Sequence, residues 1–190
     1  MVVAMHHSIV PVRDRFVSSN QQYLSGLMGH VINRRGAILR IEMYDRILVP
    51  TDGSDTTTAT IDHALHIAAD NDATIEALYV VDMRIVRASS DLAEDIESRL
   101  REEGDRAVQA VADRAEEAGV TVETTVRAGT PDKEILEHAD QTPTDLIVIG
   151  THGKSPREKL RTMGSVSERV VQNSPVPVLV IRTTAAADGS

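Results

Sequence analysis

A chain of 190 residues, 41% of them hydrophobic, is long enough to bury the core of one domain with some length to spare. It contains no cysteine, which excludes disulfides, thiolate metal sites and cysteine nucleophiles, and it has no apolar run of the ~18 residues that a membrane-crossing helix needs. A net charge of −9 makes nucleic acid an unfavourable partner.

With one Phe, three Tyr and no Trp, the core has to be built from Val, Ile, Leu and Ala. The charge is uneven. Residues 1–43 carry +3, from five Arg against Asp14 and Glu42, and the remainder carries −12. Acid-rich composition with Lys133, Lys154 and Lys159 as the sole lysines points to a salt-adapted, halophilic cytoplasm; a GC-rich genome is the other explanation.

Residues 1–43 show no alternating strand and no strong cap. A weak helical stripe (Tyr23, Leu24, Leu27, Met28, Val31) is interrupted by Gly26 and Gly29. That is too broken for the apolar stretch of a signal peptide and marginal as a helix. The expectation is an N-terminal extension, disordered or weakly helical, with translation in the cell starting at Met43; a functional tail is the alternative.

From Tyr44 the pattern becomes regular. Arg46–Pro50 reads as a buried strand, and Thr51-Asp52-Gly53-Ser54 as a turn rich in capping side chains. Ile61, Ala64, Leu65 and Ala68 give an amphipathic helix. Thr74–Val81 is a second strand, ending at Asp82. Asp91 is placed to cap a long helix through Leu100, Val108 and Ala115 that stops at Gly119, with Gly104 as a possible bend. Val120–Val126 alternates as a third strand. Pro131, with Ile135 and Ala139, starts a short helix. Leu146–Ile149 is an apolar run that stops at Gly150, as suits a strand buried on both faces. Gly164-Ser165 opens a helix to about Asn173, and Val176–Ile181 is the last strand. Residues 183–190 form a flexible tail.

Strands alternating with helices imply an α/β fold, a doubly wound parallel sheet with helices on both faces. In such a sheet the ligand lies beyond the carboxyl ends of the strands, where the strand order reverses. Two polar clusters follow strand ends, Pro50–Ser54 and Gly150–Ser165. A strand, a glycine loop and a helix start together make a phosphate site, because the first amides of a helix and its positive dipole end favour an anion. Each cluster also has a plainer explanation: Asp52 and Ser54 as a helix cap and turn, Gly150 and Gly153 as a tight strand exit, Gly164-Ser165 as a cap. His63 and His66 share a helix, with no third ligand in sight for a metal.

Val49-Pro50-Thr51-Asp52-Gly53-Ser54, Tyr79-Val80-Val81-Asp82, Gly150-Thr151-His152-Gly153, Gly164-Ser165-Val166 and Pro175–Val180, in this order, resemble the universal stress protein family. The resemblance covers residues 44–182 and implies a five-stranded parallel sheet of order 3-2-1-4-5, commonly dimeric. It also implies an ATP site. Asp52 would meet adenine or ribose, Pro50 and Thr51 would form its wall, and the Val80 backbone would face the adenine. Gly150, His152 and Gly153 would line ribose and phosphates, with phosphate on Gly164, Ser165 and Val166. Mg²⁺ would be held by the phosphates. The pattern departs in one place: ten residues separate Gly153 from Gly164, where the ATP-binding branch has nine.

The reading that results is a cytoplasmic stress-response protein that binds ATP as a switch or stabiliser, with a homodimer through the last strand and no membrane or nucleic-acid partner. A slow ATPase is the enzymatic alternative. It lacks the lysine of a P-loop and has no assigned acid pair, only Glu158 and Glu168 near the phosphate loop. A nucleotide-free dimeric interaction module is the third.

Overall fold

The computed structural model describes residues 30–32, 38–40, 43–54, 57–151 and 163–182. The chain forms two units, Met1–Arg40 and Ile41–Ser190. In the first, β1 (His30–Ile32) pairs antiparallel with β2 (Ile38–Arg40), Val31 opposite Leu39. Val31 thus lies in a strand, whereas its spacing fitted a marginal helix. The rest of that stripe, Tyr23 to Met28, lies outside the described residues, as does the tail from 183.

In the second unit β3 (Arg46–Thr51), β4 (Thr74–Asp82), β5 (Val122–Gly129), β6 (Leu146–Gly150) and β7 (Val178–Ile181) form one sheet. Its order is β5-β4-β3-β6-β7 and every pairing is parallel. This is the expected 3-2-1-4-5 arrangement. The connections are α1 (Thr57–Asn71), α2 (Met83–Arg87), α3 (Ala93–Glu117), α4 (Pro131–Gln141) and α5 (Ser165–Asn173).

Alternate strand residues feed two cores. Ile47, Val49, Ile75, Ala77, Tyr79 and Val148 pack with Ala64 and Leu65 of α1 and Val108 and Val111 of α3. Leu48, Leu78, Ile147 and Ile149 pack with Ile135 and Ala139 of α4 and Val170 of α5. A sheet covered on both faces needs apolar residues at successive positions, which is why β3 and β6 read as unbroken apolar runs.

Side chains tie the ends together. Asp145 Oδ2 accepts from the amides of Asp45 at 2.8 Å and Arg46 at 3.0 Å, fixing the start of β3 beside β6. Gly119, at φ 68°, ends α3: its amide donates to Glu116 O and the Val120 amide to Ala115 O, a left-handed cap that glycine enters without strain.

Three local expectations change. Asp91 does not cap α3; Ser90–Leu92 form a 3-10 turn, and the cap position falls on Leu92, which has no side-chain cap bond. The short α2 escaped notice because five residues carry too little periodicity. The last strand begins at Val178, after Pro177, which has no amide to pair; the Pro177 carbonyl instead accepts from Ile147 N at 3.0 Å.

A buried carboxylate lies within the sheet. Glu76, 4% exposed, sits on β4 toward the amino end of the sheet. Arg46 Nη2 donates to its Oε1 at 2.7 Å, and Thr144 Oγ1 donates to Oε2 at 2.7 Å. Burial pushes this carboxyl up; the His138 imidazole, the Thr144 hydroxyl and Arg46 more than reverse that, leaving it at about 2. His138 Nε2 stands 3.8 Å from Oε1, beyond hydrogen-bond reach, so the short bonds from Thr144 and Arg46 carry most of the effect.

The folded value lies below the ordinary one near 4.5, so this stabilisation is complete above pH 4.5 and is lost as pH falls toward 2. Glu76→Gln is expected to lower unfolding stability at pH 7 by about 3 kcal/mol, as when one partner of a buried pair is removed. In denaturant titrations across pH, the gap between Glu76→Gln and the parent chain should narrow as the pH is taken below 4.5. A gap independent of pH would contradict the assignment.

Candidate functional site

The strand order reverses at β3, whose neighbours β4 and β6 carry their following helices to opposite faces. The helices diverge there and leave the carboxyl edge open. A cavity of about 590 Å³ occupies this place, within the range of small-molecule sites.

Its near wall is Pro50, Thr51 and Asp52. Asp52 Oδ1 accepts from Ser54 N at 3.1 Å, Ser54 Oγ at 2.6 Å and Thr57 Oγ1 at 3.1 Å. Gly53 makes this turn at φ 69°, and its amide bonds Thr51 Oγ1 at 3.1 Å. Asp52 therefore does hold the turn into α1, as the plainer explanation had it, and it also faces the cavity.

The far wall is Gly150, Gly164, Ser165 and Val166. Here the start of α5 is anchored to the end of β6. Gly164 N donates to Thr151 O at 2.6 Å, and Ser167 Oγ to Gly150 O at 2.7 Å. Thr151 N in turn bonds Ile181 O at 2.9 Å. Gly164 is the N-cap of α5 and makes no side-chain cap bond. A glycine cap leaves the amides of the first turn to other acceptors, at the positive end of the helix dipole.

Leu78, Val80 and Ile149 line the cavity from the sheet, and Pro131 and Ile135 from α4. At the rim, Asp82 caps α2 by accepting from Arg84 N at 2.9 Å, and Arg84 Nη2 returns to Oδ2 at 2.6 Å. Burial raises Asp82, but the bonds from Arg84 outweigh it and hold the carboxyl below its usual range.

Of the residues singled out from sequence, Pro50, Thr51, Asp52, Val80, Gly150, Gly164, Ser165 and Val166 all line this one cavity. His152 and Gly153 lie outside the described residues, as do Lys154 and Glu158. Sequence reasoning missed the α3 side, where Tyr79, Leu100 and Glu103 complete the wall, and the Asp82–Arg84 rim. The available signal was Gly104, an unexplained glycine inside a long helical pattern. Among the described residues no group of three or more His, Cys, Asp or Glu is placed to hold a metal, and no helix is long and apolar enough to cross a membrane.

The sequence profile of the universal stress protein family matches residues 43–182. A universal stress protein of Methanocaldococcus jannaschii is 42% identical over 142 residues, 74% of this chain and 83% of the relative. The solved structure of the universal stress protein UspA from Lactobacillus plantarum superposes with a TM-score of 0.63 at 33% identity, covering 73% of this chain and 98% of that one. A universal stress protein solved in complex with cAMP matches with a TM-score of 0.56 at 26% identity, over 75% of this chain and 99% of that one.

The three bonds on Asp52 Oδ1 generate a stability prediction. Asp52→Ala removes them and is expected to destabilise the fold by about 1–2 kcal/mol, the usual loss of a cap. Asp52→Asn keeps an acceptor oxygen and should stay within about 0.5 kcal/mol of the parent. Chemical denaturation of both variants measures this, and equal losses would show that charge, not acceptance, holds the turn.

Proposed function

This chain belongs to the universal stress protein family, and from that premise we propose that its crevice binds an adenine nucleotide, ATP, with the phosphates at the start of α5. The carrying observation is the start of α5: a helix N-terminus with a glycine cap, bonded to the end of β6 and facing Asp52 across a cavity of about 590 Å³. The phosphates lie on Gly164, Ser165 and Val166, with Mg²⁺ held by the phosphates themselves. Asp52 takes a ribose or amine donor, Pro50 and Thr51 form the adjoining wall, and the Val80 backbone borders the adenine. His152 and Gly153 take the ribose side of the phosphates. The cAMP complex of a related stress protein supports the ligand class.

The ten-residue interval between Gly153 and Gly164 does not argue against this reading. Gly164 bonds Thr151, and Ser167 bonds Gly150, so the start of α5 stays against β6 despite the longer interval. Extra length in a loop is tolerated at small entropic cost.

Occupancy is the output. A ligand that binds the folded state alone adds about 2.7 kcal/mol of stability at a hundredfold excess over Kd. The protein acts as a nucleotide-dependent switch or stabiliser in the cytoplasm. It works as a homodimer through β7, the edge strand of the sheet, whose Leu179 is 37% exposed.

Denaturing the purified full-length protein and resolving the supernatant by ion exchange should release adenine nucleotide, and added ATP with Mg²⁺ should raise the thermal midpoint. Neither result would leave the reading standing if both were negative. Gly164→Asp sharpens the test. The backbone there, φ −71° and ψ 155°, suits aspartate, a preferred N-cap, so α5 should keep its stability. A carboxylate at the phosphate position is expected to weaken ATP by at least about tenfold, or about 1.4 kcal/mol.

A further inference from the structure

Strand β4 presents Val80 to one face of the sheet and Tyr79 to the other, and both line the cavity. The cavity therefore reaches over the carboxyl edge of the sheet to the α3 side, where Leu100 and Glu103 form its wall. The site roles that the family resemblance implies fall on Val80 of β4 and leave Tyr79 and the α3 side without one.

Tyr79 is seated there by Gly104. A Cβ at position 104 would fall 2.6 Å from Tyr79 Cδ1 and 3.0 Å from Cε1, closer than carbon atoms pack. Gly104 lies inside a helix of 25 residues, where glycine is less favourable than alanine by about 0.5–1 kcal/mol. The contact explains the glycine: only a bare backbone lets the ring lie against α3.

The tyrosine is 6% exposed. Burial, then the charges of Glu103 and Asp52, push its hydroxyl up to about 12, so it remains protonated at all ordinary pH. Among the described residues no side chain or carbonyl accepts a hydrogen bond from it. The hydroxyl is not sealed inside the protein: among the described residues the buried side-chain atoms without a partner are Thr60 Oγ1 and His138 Nε2, so the Tyr79 oxygen is open, in a residue that lines the cavity, and a protonated phenol is a good donor.

We propose that Tyr79 is a ligand-binding residue of this crevice, donating a hydrogen bond from its hydroxyl to an acceptor on the nucleoside half of the nucleotide, with Gly104 as the residue that positions its ring. The inference rests on the nucleotide reading above. The nucleoside half is favoured because Asp52 and Glu103 border the hydroxyl: two carboxylates repel phosphate and accept from amino and hydroxyl groups. The anionic end of the ligand is drawn to α5, on the opposite wall.

The test uses the full chain at pH 7, with ATP binding followed by calorimetry and adenosine binding by displacement of a fluorescent ATP analogue. Tyr79→Phe keeps the ring and removes the donor. It should leave the thermal midpoint of the ligand-free protein unchanged and weaken ATP and adenosine by the same factor, roughly five- to tenfold. Gly104→Ala should weaken ATP in the parent chain and have little further effect in the Tyr79→Phe background, since both act through one hydroxyl. Unchanged affinity in Tyr79→Phe overturns the proposal, as does a loss seen with ATP and not with adenosine. Parent protein that binds neither compound overturns the nucleotide reading itself, an outcome distinct from parent binding that Tyr79→Phe leaves intact.

Discussion

The structure depends on the position of β3 between two parallel neighbours. Leu48 pairs with Glu76 of β4 on one side and with Ile147 of β6 on the other. Parallel pairing on both sides forces every connection to cross a face of the sheet, and right-handed crossovers send those on the two sides of β3 to opposite faces. At the carboxyl edge of β3 the backbone therefore lacks a covering helix. The cavity is a consequence of that topology, and its polar groups stand where the sheet cannot bury them.

The two edges of the sheet treat polar groups differently. At the amino edge Glu76 is surrounded by Arg46 and Thr144, which complete its bonds within the protein. Such a network stabilises one arrangement of β3, β4 and the segment before β6, because removing any member strands the others. At the carboxyl edge the bonds of Asp52, Gly164 and Ser167 fix the backbone of the walls. Tyr79 lines the cavity there, and Gly164 caps α5 without a side-chain bond of its own. One edge closes a carboxylate within the protein; the other fixes the backbone around an open cavity.

Much of this was legible in the chain itself. The apolar runs at Arg46–Pro50 and Leu146–Ile149 mark strands covered on both faces, and their alternation with helices leads to the observed sheet. The two clusters that follow these strands end in one cavity, since residues after the carboxyl ends of β3 and β6 must meet where the order reverses. Less was legible where the cause is long-range. Glu76 looks like an ordinary polar position in β4; its burial comes from Arg46 and Thr144, which are remote in sequence. Asp91 has the chemistry of a cap, but a 3-10 turn takes it into the helix approach. Tyr79 reads as one more apolar strand residue, because the cavity that it borders is closed by α3, whose packing distance no local pattern encodes.

Glycine shows most clearly how function and stability are divided in this unit. Gly119 serves the fold alone: it turns the chain out of α3 at φ 68°. Gly104 and Gly164 give up something the helices would otherwise have, an alanine in the interior of α3 and a side-chain cap on α5. In both places what is gained is access at the same cavity, for an aromatic ring on one wall and for the amides of the first turn on the other. A helix built for stability alone would have filled both positions. That the two concessions fall on opposite walls of one crevice is the reason to read the crevice as selected for an occupant.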